Sequence, residues 1–186
     1  MLFRRLILLL LPFASLHGQT SSGDYQTTVE GGFMFGGKAS HRTIVFRSGP
    51  EISGSFQKKL YNRLHIGMGM GVIGLEDEVY VPLFADLRLK LNERDNGIYL
   101  GFRSGYSFGS NATATNVENT SYQGGWHART SIGYHSKMSE SIAMQFGFNI
   151  SYQQGLLDRN LPSSQINQRE RLRFFLFSFS VGLIFL

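Results

Sequence analysis

Residues 171–186 read RLRFFLFSFSVGLIFL, and Phe175, Phe177, Phe179, Val181, Leu183 and Phe185 fall on alternate positions. A strand turns alternate side chains to opposite faces, so these six form one continuous apolar stripe. Between them lie Ser178, Ser180 and Gly182, which are small or polar. In water such a strand needs cover for its apolar face and protection for its edge. A closed barrel in a lipid bilayer meets both needs. Lipid takes the Phe stripe, and closure pairs the last strand with the first.

The opposite end of the chain, MLFRRLILLLLPFASLHGQ, carries Arg4 and Arg5, an apolar run from Leu6 to Leu11, the helix breaker Pro12, and small residues Ala14, Ser15 and Gly18. That order predicts a secretory signal peptide over residues 1–18, cleaved after Gly18. The apolar run is far shorter than the roughly 20 residues of a membrane-spanning helix. Residues 19–186 then form one barrel domain, with no Pro-rich or Ser-rich linker to divide it. The chain has no Cys, which excludes a lipid-modified Cys, a disulfide and a thiolate metal site.

Composition points the same way. Hydrophobic residues make up 42% of the chain, with 22 Gly, 16 Phe and 8 Tyr, a mixture that suits strands with aromatic residues for lipid and interfacial positions. No later segment holds 18 consecutive apolar residues, so no transmembrane helix is expected. Without the leader, 16 basic and 13 acidic residues remain, a balance that gives no reason to invoke nucleic acid.

Period-two alternation bounded by turn residues predicts eight strands. They run over residues 25–35, 44–56, 64–74, 80–91, 98–108, 124–135, 142–153 and the terminal Phe strand, close to the length of a tilted bilayer-spanning strand. The contrast is sharpest in the fourth, where Val81, Leu83, Leu87, Leu89 and Leu91 alternate with Asp86, Arg88 and Lys90. Pro50 interrupts the second strand and predicts a bulge there, because it cannot donate to a ladder. KKLYNR, NERDNG and SKMSE are compact polar turns after strands two, four and six. The other connections are GGKASHR, GLEDEV, SNATATNVENTSYQ and the stretch from Gly155 to Arg169, of which the last two are long. Short turns on one side and longer loops on the other put both chain ends on the periplasmic side of such a barrel.

The pattern LHIGMGMGV, VPLFADLRLKLN, IYLGFRSGYSFG, GGWHARTSIGYHSKMSESIAMQFGFNISYQ and FSVGLIFL resembles the small, porin-like outer-membrane β-barrel proteins of Gram-negative bacteria, of the eight-stranded OmpA/OmpX type. The resemblance covers most of the chain and rests on Gly, aromatic and strand spacing, with no catalytic signature. It implies an all-β, eight-stranded antiparallel up-and-down barrel in the cell outer membrane, a monomer in contact with outer-membrane lipid and lipopolysaccharide. The terminal GLIF resembles the signal read by the barrel assembly machinery in that family, although here Leu186 follows Phe185.

An eight-stranded barrel is just wide enough for side chains to fill it. The inward positions place Glu30, Arg47, Glu51, Asp86, Arg88, Arg103 and Arg129 in a structural charge network, with Lys90, His65, His127 and His135 also inside. Buried charges require partners, so Arg–carboxylate bonds are expected, with Gly67, Gly69, Gly71, Gly101 and Gly105 making room for the arginines. His127 and His135 are about 26 Å apart along one strand, too far for a single metal. His135, Ser136 and Glu140 resemble the residue set of an outer-membrane lipid A deacylase, but adjacent strand residues point apart and this group lies at a turn. Glu76, Asp77 and Glu78 form a loop charge run of the kind normally solvated, and GMGMG lacks the strand-to-helix setting of a nucleotide loop.

No catalytic, cofactor-binding or metal residues are therefore assigned. The expected protein is a non-enzymatic integral membrane barrel with a polar, plugged lumen, contributing to envelope integrity or to surface interaction through its loops. A small solute channel and a lipid-modifying enzyme are the alternatives. A soluble carrier barrel would need the reverse facing, with apolar residues inside.

Overall fold

The structure, a computed structural model, describes residues 24–40, 43–76, 78–92, 96–111, 120–161 and 166–186. The strands are β1 (Tyr25–Ser40), β2 (Thr43–Tyr61), β3 (Leu64–Leu75), β4 (Glu78–Lys90), β5 (Gly97–Asn111), β6 (Thr120–Gln123), β7 (Gly125–Lys137), β8 (Ile142–Leu161) and β9 (Ile166–Phe185). All pairings are antiparallel, and β1 pairs with both β2 and β9, which closes the sheet. The strands β6 and β7 are two parts of one stave, since both pair with β8. Gln123 and His127 lie opposite Leu156 and Gln153 respectively, so four steps oppose three and the stave bulges at Gly124. The result is a closed eight-stave barrel.

Facing follows the alternation read from the sequence. Phe175, Phe177, Phe179, Val181 and Leu183 are exposed, while Phe174, Leu176, Ser178, Ser180, Gly182 and Ile184 between them are buried. Leu83, Leu87 and Leu89 face out, and Asp86 and Arg88 face in. The apolar exterior excludes the soluble carrier arrangement. From Phe175 to Phe185 the strand rises about 33 Å, or about 25 Å along the axis at a tilt near 40°. That equals the height of the apolar band of an outer-membrane barrel.

Two expectations are corrected. Pro50 pairs with Phe33 in an uninterrupted β1–β2 register, so it makes no bulge there. The β2–β3 ladder instead ends at Glu51–Ile73, one residue short of Pro50, and its bulge lies between Lys59 and Tyr61. The missing N–H of Pro50 thus terminates pairing on one side of β2. The second correction concerns the long loop expected over 155–169. Most of it is strand: β8 and β9 pair without interruption to Leu161–Ile166, because no Gly-Pro punctuation breaks the pattern before Pro162. The hairpin β1–β2 likewise runs on to Ser40–Thr43. The connection between β5 and β6, residues 112–119, and the leader expected over 1–18 lie outside the described residues. No helix is long and apolar enough to cross a membrane among the described residues.

Candidate functional site

The inward residues of each strand stack in layers, because alternate side chains enter the lumen at successive heights. From the rim that carries both termini, β1 contributes Gln26, Thr28, Glu30, Met34 and Lys38, and β4 contributes Lys90, Arg88, Asp86, Phe84, Tyr80 and Glu78. Three chemically distinct layers result.

The middle layer is a charge network. The Glu30 carboxylate accepts from Arg103 at 2.6 Å, from Arg129 at 3.2 Å and from the Gln145 amide at 2.8 Å. Arg129 also pairs with Glu51, and the Ser178 hydroxyl donates to Glu51 at 2.8 Å. Asp86 accepts from Arg103 Nε at 3.2 Å and from Gln57 at 2.7 Å, with an Arg88 nitrogen 3.9 Å away. Arg88 donates to Gln145 at 2.7 Å. Glu30, Glu51, Asp86, Arg88, Arg103 and Arg129 are all buried, and their three carboxylates balance three guanidiniums. A neutral, hydrogen-bonded cluster is the form in which burial of charge is tolerable.

Aromatic rings complete this layer. Arg103 lies over Phe84 at 4.9 Å and Arg88 over Tyr99 at 5.0 Å, a favourable cation–π arrangement. None of the five glycines expected to make room for arginines has an arginine as its nearest neighbour: a Cβ at Gly67 or Gly105 would meet backbone of the adjacent strand at 1.9 Å, and one at Gly101 would meet Ser131 at 3.3 Å. A Cβ at Gly69 would lie 2.6 Å from the Phe84 ring, and one at Gly133 2.6 Å from Tyr99. At Gly147 it would meet Tyr99 Oη at 2.8 Å. His127 contacts Gln153 at 3.0 Å and the Phe84 ring in the same region.

The outer layer is apolar. Met34, Ile73, Leu75, Tyr80, Leu157, Leu172, Phe174 and Leu176 form one buried cluster, with Tyr80 edge-on to Phe174 at 5.7 Å. Above it Lys38 donates to the fully buried Glu78 at 2.6 Å. This layer was not anticipated, yet one signal for it is visible. The run Phe174, Phe175, Leu176, Phe177 breaks alternation, so both faces of β9 are apolar at that level.

Arg47 does not belong to the network. It is half-buried near the outer end of β2 and pairs with Glu76 in the β3–β4 turn, because the network ends at Glu51, two inward positions away. His65, Lys90 and His135 lie at the opposite end, in a pocket at the rim of the termini. The expected loop run is divided: Glu76 is exposed, Glu78 is buried, and Asp77 lies outside the described residues. His135 is buried inside, Ser136 follows on the other face and Glu140 is exposed in the turn, so the three do not converge. Among the described residues no three metal-ligating side chains cluster.

No known family model matches the chain, and no curated protein matches it in sequence. Solved structures match it in fold. Neisserial surface protein A superposes with a TM-score of 0.57 at 13% identity, covering 86% of this chain and 96% of that one. The outer membrane protein OprG of Pseudomonas aeruginosa gives 0.57 at 10% identity, over 87% and 96%. The outer membrane protein AlkL, determined in lipid bilayers, gives 0.58 at 10% identity, over 91% and 95%. The fold is therefore shared with these small transmembrane β-barrels. Its exposed apolar face is the one that such a barrel turns to lipid.

Proposed function

We propose that this chain is a non-enzymatic outer-membrane barrel whose lumen is closed, and that it serves envelope integrity or surface interaction through its outer hairpins. The observation that carries this reading is the lumen filling. A neutral network of three arginines and three carboxylates lies beneath a buried apolar cluster, and together they fill the lumen with side chains among the described residues. The outer hairpins support the second half. β8 and β9 are 20 residues each, against 12 and 13 for β3 and β4, so the wall rises unevenly above the bilayer and presents strand edges and side chains outward.

Planar-bilayer recordings test the closure: the wild-type protein is expected to show no steady conductance, and a uniform open channel would favour a solute pore. Mass analysis of lipid A from a deletion strain tests the absence of lipid chemistry. An altered acylation pattern restored by the gene would defeat the non-enzymatic reading.

A further inference from the structure

Outward charge at the outer end of the wall is gathered on one strand. Arg171 and Arg173 of β9 are exposed and share the outward parity of Phe175, Phe177 and Phe179 directly below them. On the other strands the outward side chains at that end include Ile44, Phe46, Val81, Phe108 and Trp126, which carry no charge. Register places no carboxylate beside the two arginines. Arg173 lies opposite Gln154 on β8 and Ala39 on β1, and Arg171 lies opposite Leu156, beyond the last β1–β9 pair. Glu170 is adjacent in sequence and therefore points to the other face. Neither arginine forms an ion pair with another described residue. Two residues apart on a strand, their Cα atoms are separated by about 7 Å, so both guanidiniums can reach one anion. A hydroxyl and an apolar platform adjoin them. The Tyr152 hydroxyl accepts from Gln154 Nε2 at 2.9 Å, which leaves its own O–H to donate. The Tyr152 ring lies 5.1 Å from that of Phe175, where the apolar stripe begins.

We infer that Arg171, Arg173 and Tyr152 form a binding site for the phosphate monoester headgroup of a membrane lipid, whose chains lie along the stripe of Phe175, Phe177 and Phe179. The planar guanidinium fork matches phosphate oxygens in a bidentate way. Arg173 stands about 5 Å above Phe175 along the barrel axis, the height at which headgroups meet the apolar band. A ring with a polar tip, such as Tyr152, suits that boundary. A soluble phosphate would use the arginines and gain nothing from the Phe stripe, whereas a lipid uses both. The site lies on the outside of the wall, so it needs the lipid-facing exterior and not the closed lumen proposed above. Lipid binding and conductance are measured separately, and either can fail without the other.

The test uses the whole barrel in maltoside micelles, which carry no phosphate, and counts bound lipid by native mass spectrometry. Titration with didecanoyl phosphatidic acid should give one saturable adduct. Didecanoyl glycerol, which has the same chains without the phosphate, should give none. The Arg171→Gln/Arg173→Gln double variant should bind at least about tenfold more weakly. Lys58→Gln/Arg63→Gln removes the same charge near the opposite rim and should bind as the wild type does. The heat-modifiable gel shift confirms that each variant is folded. Competition with inorganic phosphate separates the two sources of the group. An adduct that persists at equal concentrations identifies a lipid, and its loss there would identify a soluble phosphate and overturn the lipid assignment. Equal weakening by both double variants, or several adducts without saturation, would overturn the site itself.

Discussion

Glu30 is the carboxylate on which the lumen depends most. It receives two guanidiniums, at 2.6 and 3.2 Å, and the Gln145 amide at 2.8 Å. Glu30→Gln keeps the shape and one acceptor oxygen but removes the charge, leaving two carboxylates against three buried arginines. Stranding a charge in this way costs about 3–5 kcal/mol. The pair Arg47–Glu76 supplies the internal control, since the Glu76 side chain is 46% exposed. Breaking it with Glu76→Gln should cost no more than about 1 kcal/mol. Urea unfolding of the refolded barrel, read by tryptophan emission from Trp126 and by the heat-modifiable gel shift, measures both. A cycle of Glu30→Gln with Arg129→Met should recover part of the loss, because removing the second partner restores neutrality. If Glu30→Gln unfolds at the wild-type denaturant concentration, the lumen is wet enough to screen its charges and the plug reasoning fails.

Two further outcomes follow from facing and packing. Leu87→Arg should destabilise by about 2–4 kcal/mol if the site lies near the midplane, and a lipid-phase reagent should label Cys at position 87 in preference to position 88; the opposite preference would reverse the register. Gly147→Ala should cost about 1–3 kcal/mol by overpacking, since its Cβ would sit 2.8 Å from Tyr99 Oη, and Tyr99→Phe should relieve it in a thermal or urea melt; a Gly147→Ala cost that Tyr99→Phe leaves unchanged would show that the ring does not set the packing.

What could be read from the sequence was whatever depends on period two. Asp86, Arg88, Arg103 and Arg129 have inward parity, and parity is a local property of each strand. Partner choice is not local. That Glu30 meets Arg103 and Arg129, and that Arg47 meets Glu76 outside the network, follows from the register of strands distant in sequence. Strand ends outside the bilayer are not local either. Outside the membrane a strand need not alternate apolar with polar, so the outer parts of β8 and β9 lack the signal that identified their inner halves. The missing donor of Pro50 requires one ladder to yield but does not fix on which side of β2 it does so.

The terminal strand also marks where the bilayer stops. From Phe177 to Gly182 it is apolar outside and small or polar inside, with Phe177 and Phe179 exposed and Ser178 and Ser180 buried, while the inward Leu176 makes both faces apolar next to Phe175. Above that residue the order inverts. Arg171 and Arg173 are exposed, while Leu172 and Phe174 are buried in the apolar layer. A wall in water needs an apolar core behind a polar surface, and a wall in lipid needs an apolar surface, so the inversion is the boundary itself. The change is sharpest on β9; on β2, Ile44 and Phe46 remain exposed and apolar. The cost of an outward arginine is therefore expected to climb along β9. It should be near 0–1 kcal/mol for Phe175→Arg, where the side chain reaches the headgroups, and about 2–4 kcal/mol for Phe179→Arg, deeper in the band. Unfolding in bilayers of defined thickness measures both, and a thinner bilayer should lower the second value more than the first. Equal costs at the two positions would place the boundary elsewhere and separate the apolar layer of the lumen from the water-exposed part of the wall.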